Sequence, residues 1–164
     1  MKFVKQFIIA MILFVLQYTL FVKLKIWGVI PNFILAYIVV VATAKDMSES
    51  IFTALLLALL NDLLINRFFG FDLLFFLFAV VLINYLCVKF IRGNFMVATM
   101  FIFGTQFLYS VFFYCINNIT AKDSCFFPYI FRQGLFSSFY ISIFSLIILF
   151  FLDQRLYHHR DYNV

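Results

Sequence analysis

Long apolar runs broken by short polar clusters govern the reading of this chain. Six such runs can be drawn, at residues 3–22, 30–44, 49–65, 71–90, 94–116 and 130–152. A helix needs about 20 residues to cross a hydrocarbon core, a length that the first, fourth, fifth and sixth runs reach. The second and third are shorter and are separated only by "KDMSES". Pro31 suits a first helical turn, and Ser48 or Asp46 can cap a new helix with Glu49 near its N-terminus. The pattern predicts an all-α polytopic transmembrane bundle of six helices. Five helices is the alternative, with the second and third runs forming one broken, partly re-entrant unit.

Composition points to the same solvent. The chain has 164 residues, 66% of them hydrophobic and 12% charged, with 27 Phe and a mean hydropathy of +1.11. A soluble domain of this size needs far more polar residues to cover its surface. The length allows one helical domain over residues 1–164 and no second one. The net charge of +5 comes from Lys and Arg placed singly or in pairs between the apolar runs. That placement fits topology and anionic headgroups better than nucleic acid. With six spans, Lys2, Lys5, Lys45, Lys89, Arg92, Arg155 and Arg160 share one side, and Lys23, Lys25, Arg67, Lys122 and Arg132 the other. The bias puts both termini in the cytoplasm. The first run looks like a signal-peptide core, but no small-residue cleavage site follows it, so it is expected to be an uncleaved span.

In lipid, small residues and buried polar groups mark the faces on which helices pack. Ala54, Ala58, Asn61, Asp62 and Ile65 form one stripe of the third run. Gly134, Ser138, Ser142 and Ser145 form a small-residue seam in the sixth. The fifth offers Thr99, Gln106, Ser110 and Asn117, and the fourth Asn84, each expected to hydrogen-bond across a helix interface. Asp62 stands out, because a carboxylate inside a span is costly and marks a site by default. It could accept hydrogen bonds from a partner or from the loop before Gly70. It could also be neutralised locally by Arg67, whose long side chain can snorkel. Asp72 reads as a first-turn acid favoured by the helix dipole. Lys45, Asp46 and Glu49 read as a solvated turn.

Candidate chemistry is sparse. There is no GxSxG, HExxH or P-loop, and His158 and His159 fall in a polar tail. Cys87, Cys115 and Cys125 show no metal spacing, although Cys115 and Cys125 flank one loop and could pair. No catalytic residue, cofactor or metal is expected, which leaves an intramembrane enzyme as a third reading. "NIT" at residues 118–120 matches a glycosylation sequon, and "CFFPYIF" at 125–131 suits an interfacial aromatic belt or a partner's patch.

The stretch "ALLNDLLINRFFG" (residues 58–70) then resembles the central motif of the MreD family of rod shape-determining proteins. Asp62 takes the family's acidic position and Phe69–Gly70 its Phe-Gly. Pro31–Asn32 matches a Pro-Asp/Asn at the second run, and "NYL" at Asn84–Leu86 the end of the fourth. Ala58 stands where the family has Gly, which keeps a small residue on the face. Phe68 replaces a Pro and leaves Gly70 to make the turn. The matched motifs cover a minority of the chain. The resemblance implies a non-enzymatic scaffold of the bacterial cell-wall elongation machinery in the inner membrane. It implies contacts with a bitopic MreC-like protein, an MreB-like filament, a RodA-like glycosyltransferase and a penicillin-binding transpeptidase, and no small-molecule substrate. The family is also similar to the six-helix substrate-binding component of energy-coupling factor vitamin transporters, which supplies the alternative function.

Overall fold

The computed structural model describes the backbone of residues 2–19, 23, 30–64, 69–89, 95–121 and 129–156. Six helices account for nearly all of it, and no strand occurs among the described residues. They are α1 (Lys2–Thr19), α2 (Phe33–Ala44), α3 (Met47–Leu64), α4 (Phe71–Lys89), α5 (Phe95–Ala121) and α6 (Phe136–Leu156). A π-helical segment, Ile130–Leu135, leads directly into α6. The 30–65 region is two separate helices, because Lys45 leaves the helical region at φ −113°, ψ 172° while its amide still closes α2 onto the Val41 carbonyl. The chain restarts at Met47, with the Ser50 amide donating to the Asp46 carbonyl.

Pairwise contacts give each helix its direction. Gln6 reaches Glu49 and Tyr18 reaches Asn61, both across 43 residues, so α1 and α3 run parallel. Those two contacts lie twelve residues apart along α1, or about 18 Å at the α-helical rise. Phe71 meets Phe113 and Phe75 meets Tyr109, so α4 and α5 are antiparallel. Phe103 meets Phe139 and Gln106 meets Ser137, so α5 and α6 are antiparallel as well. The helices thus alternate in direction, and α1 starts at the end of the bundle where α6 finishes.

At the centre stands α2, the shortest helix at 12 residues. It packs against all five others, and Ile34, Leu35, Ile38 and Val39 are fully enclosed. Its run of β-branched residues has poor intrinsic helix propensity, so its helical form depends on this burial. On α3, the buried stripe is Glu49, Ser50, Thr53, Ala54, Leu57, Ala58, Asn61 and Asp62. Ala54 and Ala58 are fully buried on this face, and the expected stripe gains Leu57 and the polar positions Glu49, Ser50 and Thr53, while Ile65 lies outside the described residues. On α1, Gln6, Ala10 and Gln17 lie about a whole number of turns apart and face inward.

Polar side chains share the interior with the apolar core, and large apolar side chains cover much of the outside. Buried positions include Gln6, Gln17, Glu49, Asn61, Asp62, Asp72, Asn84 and Gln106, while Leu74, Tyr85, Met100 and Phe131 are more than two thirds exposed. Among the described residues, Met47–Leu64 and Met96–Ile116 are long and apolar enough to cross a membrane.

The turn between α3 and α4 rests on Gly70, whose φ of +93° lies in a region that L side chains rarely adopt. Gly70→Ala should destabilise the protein by about 1 kcal/mol. Gly104 has open space where a Cβ would stand, so Gly104→Ala, inside α5, should be neutral or stabilising by up to about 1 kcal/mol. Unfolding of the two detergent-solubilised variants checks this opposite pair of signs.

Candidate functional site

The end of the bundle where α2 and α4 begin carries a connected set of polar side chains. It starts with a geometric problem. The first amides of a helix have no intrahelical partners, and Gly70, at the cap position of α4 with its carbonyl accepting from Leu74, has no side chain to offer them. Asp62 supplies the missing acceptor from the end of α3. Its Oδ1 accepts from the Asp72 amide at 3.1 Å and its Oδ2 from the Leu73 amide at 3.0 Å. A carboxylate placed at a helix N-terminus also gains from the helix dipole, about 0.3–1 kcal/mol when exposed and up to about 2 when partly buried.

Asp72 is the second carboxylate, and it corrects the reading of a bland first-turn acid. Only 1% exposed, it accepts at Oδ2 from the Asn61 side-chain amide at 3.0 Å and at Oδ1 from the Tyr109 hydroxyl at 2.9 Å. The carbonyl oxygen of Asn61 in turn accepts from the Tyr18 hydroxyl at 2.9 Å. One network therefore ties α1, α3, α4 and α5 together. Tyr109 is held in place by the rings of Phe71, Phe75, Phe76 and Phe113, with centroids 5.2–6.1 Å away. Each such ring pair contributes about 0.5–1.5 kcal/mol beyond area burial, so the Phe-rich surroundings aim the hydroxyl.

The start of α2 is closed in a similar way. Asn32 is its N-cap, with Oδ1 accepting from the Leu35 amide at 3.1 Å. Gln17 of α1 donates to the Pro31 carbonyl at 2.8 Å and accepts from the Phe33 amide at 3.0 Å. Pro31 therefore lies just outside the helix, preceding its cap, and not in the first turn; what it contributes is its carbonyl.

Between these two helix starts lies a half-open cavity of about 300 Å³. All six helices or their leading turns contribute to its wall, which includes Tyr18, Asn32, Asn61, Asp72, Gln106, Tyr109, Phe113, Tyr129 and Ser137. Gln106 donates to the Ser137 hydroxyl at 2.9 Å, joining α5 to α6, while its own Oε1 is buried without a partner.

The other expected residues divide. Phe69 is 70% exposed beside the turn. Asn84 is buried but donates to the Val80 carbonyl of its own helix at 3.1 Å, not across an interface. The serines of α6 differ from expectation in the same way: Ser138 donates to the Gly134 carbonyl and Ser142 to the Ser138 carbonyl, each at 2.7 Å. Ser110 donates to the Gln106 carbonyl at 3.0 Å. A hydroxyl one turn from a carbonyl of its own helix satisfies itself locally, so the α6 seam acts by being small. Arg67, Lys122, Cys125, His158 and His159 lie outside the described residues, as do the side chains of Cys87 and of the 118–120 sequon. Cys115 is exposed on α5.

At the opposite end, Glu49 corrects the expectation of a solvated turn. It is buried, accepts from the Gln6 amide at 2.9 Å and pairs with Lys45 at 3.3 Å, while Lys45 and Asp46 are exposed. Tyr18, Tyr109, Gln17 and Ser137 are the site residues that the sequence reading missed. For Gln17 a signal existed: Gln6 and Gln17 are polar residues about three turns apart in an otherwise apolar helix. The tyrosines carried no such mark among so many aromatics. Among the described residues no three His, Cys, Asp or Glu side chains gather as a metal site. No family model, curated protein or solved structure matches the chain.

Asp62→Ala should destabilise the protein by about 3 kcal/mol, since it strips two buried amides of a charged acceptor. Leu63→Ala, at a position 66% exposed, should stay within about 0.5 kcal/mol of the parent. Denaturant unfolding in one detergent, with both variants side by side, measures the contrast.

Proposed function

We propose that this chain is a non-catalytic, six-span scaffold of the bacterial cell-wall elongation machinery, of the MreD type, in the inner membrane with both termini cytoplasmic. One observation carries the reading: the residues behind the family resemblance are spent on architecture. Asp62 and Gly70 join α3 to α4 through the Asp72 and Leu73 amides, and Ala58 is fully buried on the α3 packing face. A motif used in this way specifies a shape that partners recognise. The membrane setting is supported by the many exposed large apolar side chains, by the polar groups buried among the helices and by two helices of sufficient length and apolarity. The alternating helix directions agree with an even number of crossings.

On this reading the partners are a single-span MreC-like protein, an MreB-like filament, a RodA-like glycosyltransferase and its penicillin-binding transpeptidase. The cavity of about 300 Å³ favours a second reading, a substrate-binding membrane subunit of the vitamin-transporter type, because its size reaches the lower end of small-ligand pockets.

Affinity purification in mild detergent separates the two. The scaffold reading predicts recovery of a single-span protein with cell-wall synthases, and loss of that recovery together with rod shape in Asp62→Leu cells. A stoichiometric vitamin in native mass spectra, with no synthase recovered, would transfer the assignment to the transporter subunit.

A further inference from the structure

The wall of the cavity between the starts of α2 and α4 mixes donors and acceptors and offers no open charge. Asn32 spends its side-chain oxygen on the α2 cap, and among the described residues nothing accepts from its Nδ2 or from the Tyr129 hydroxyl. Both residues line the cavity and are half-buried. The Ser137 hydroxyl accepts from Gln106 and keeps its own proton to give. Tyr18 and Tyr109 give their protons to Asn61 and Asp72, which leaves both phenol oxygens able to accept. Asp72 is 1% exposed with both carboxylate oxygens engaged. Among the described residues, no Lys or Arg lines the cavity.

Such a lining rejects most classes of occupant. A cation finds no open carboxylate, and an anion finds no cation and stands near Asp72. A purely apolar group would bury the Asn32 and Tyr129 donors unmatched, at about 1–3 kcal/mol each. A hydroxyl gives and takes at one atom, which suits a wall of interleaved Asn, Tyr and Ser. The rings of Tyr18, Tyr109, Phe113 and Tyr129 add apolar faces to the same wall, and Tyr129 is seated against Tyr114 with centroids 4.7 Å apart. A sugar ring has an apolar C–H face with hydroxyls around its edge, the complement of aromatic faces bordered by polar groups. The volume of about 300 Å³ suits a single ring of that kind. We infer that this cavity binds a neutral monosaccharide ring, carried either by a glycolipid headgroup or by a free sugar. One ring face packs on an aromatic side chain, and hydroxyls accept from Asn32 Nδ2 and the Tyr129 hydroxyl. The site does not depend on the scaffold reading and serves either functional class.

The test uses the purified full chain, extracted in a detergent without a sugar headgroup and placed in phosphatidylcholine nanodiscs. Equilibrium binding is measured with the radiolabelled methyl glycosides of glucose, galactose and mannose. In parallel, native mass spectra are recorded from discs that contain the corresponding monoglycosyl diacylglycerols. Saturable binding of a methyl glycoside identifies a free sugar; retention of a glycolipid alone identifies the headgroup. Tyr129→Phe keeps the ring and removes its donor, and Asn32→Asp keeps the cap oxygen and removes Nδ2. Each should weaken binding of the active probe about fivefold or more, and if Asn32→Asp fails to fold, Tyr129→Phe alone decides. The proposal is overturned if no glycoside and no glycolipid binds, if ethanolamine or phosphate displaces the active probe as well as unlabelled sugar does, or if Tyr129→Phe binds like the parent.

Discussion

Two amides at the start of α4 have to find an acceptor, and the Asp62 carboxylate is the one they have. Gly70 takes the turn because its φ of +93° excludes other residues at low cost, and taking it forfeits the side chain that normally caps a helix. The acceptor is therefore borrowed from the end of the preceding helix. This arrangement fixes how α3 meets α4, and through Asp72 it places the acidic group that Asn61 and Tyr109 grip. Tyr18 then attaches α1 to the same knot. Removing the capping interaction would loosen the corner at which four helices are referenced to one another.

The same constraint explains why several polar side chains sit inside the apolar core. A helix end buried away from water has no solvent to bond to, so the buried ends are served by Gln17, Asn32 and Asp62. Single hydrogen bonds between helices contribute about 1 kcal/mol each, and they set orientation more than total stability. Bulk cohesion falls to close packing: Ala54 and Ala58 on α3, the serines of α6, and the phenylalanines around Tyr109.

The all-helical character and the six helices were legible from the apolar runs, since the breaks between them are polar clusters that no lipid-facing helix would hold. The importance of Asp62 was legible too, because a carboxylate in an apolar run has to be compensated. Three readings of it were open, a partner, the loop before Gly70 and Arg67, whereas the Asp72 and Leu73 amides that bond it lie just past Gly70; they belong to backbone and leave no trace in composition. Asp72 and Glu49 were misjudged for a shared reason. Near a helix N-terminus an acid satisfies the dipole rule whether it is exposed or buried, and only the packing of Tyr109 and Gln6 against these two carboxylates separates the cases. The serines were misjudged in the other direction, since spacing identifies a face but cannot tell a hydroxyl that bonds its own helix from one that crosses to the next.

The central claim is that the Asp62 carboxylate holds the first turn of α4, and amide hydrogen exchange over residues 70–76 tests it most directly. In the parent protein the Asp72 and Leu73 amides, though at a helix start, should exchange as slowly as amides of the α4 interior. In Asp62→Asn, which keeps the volume but loses the charge and one acceptor, those two should accelerate by at least an order of magnitude while the interior of α4 changes little. Rapid exchange at Asp72 and Leu73 in the parent, or equal protection in the variant, would contradict the account.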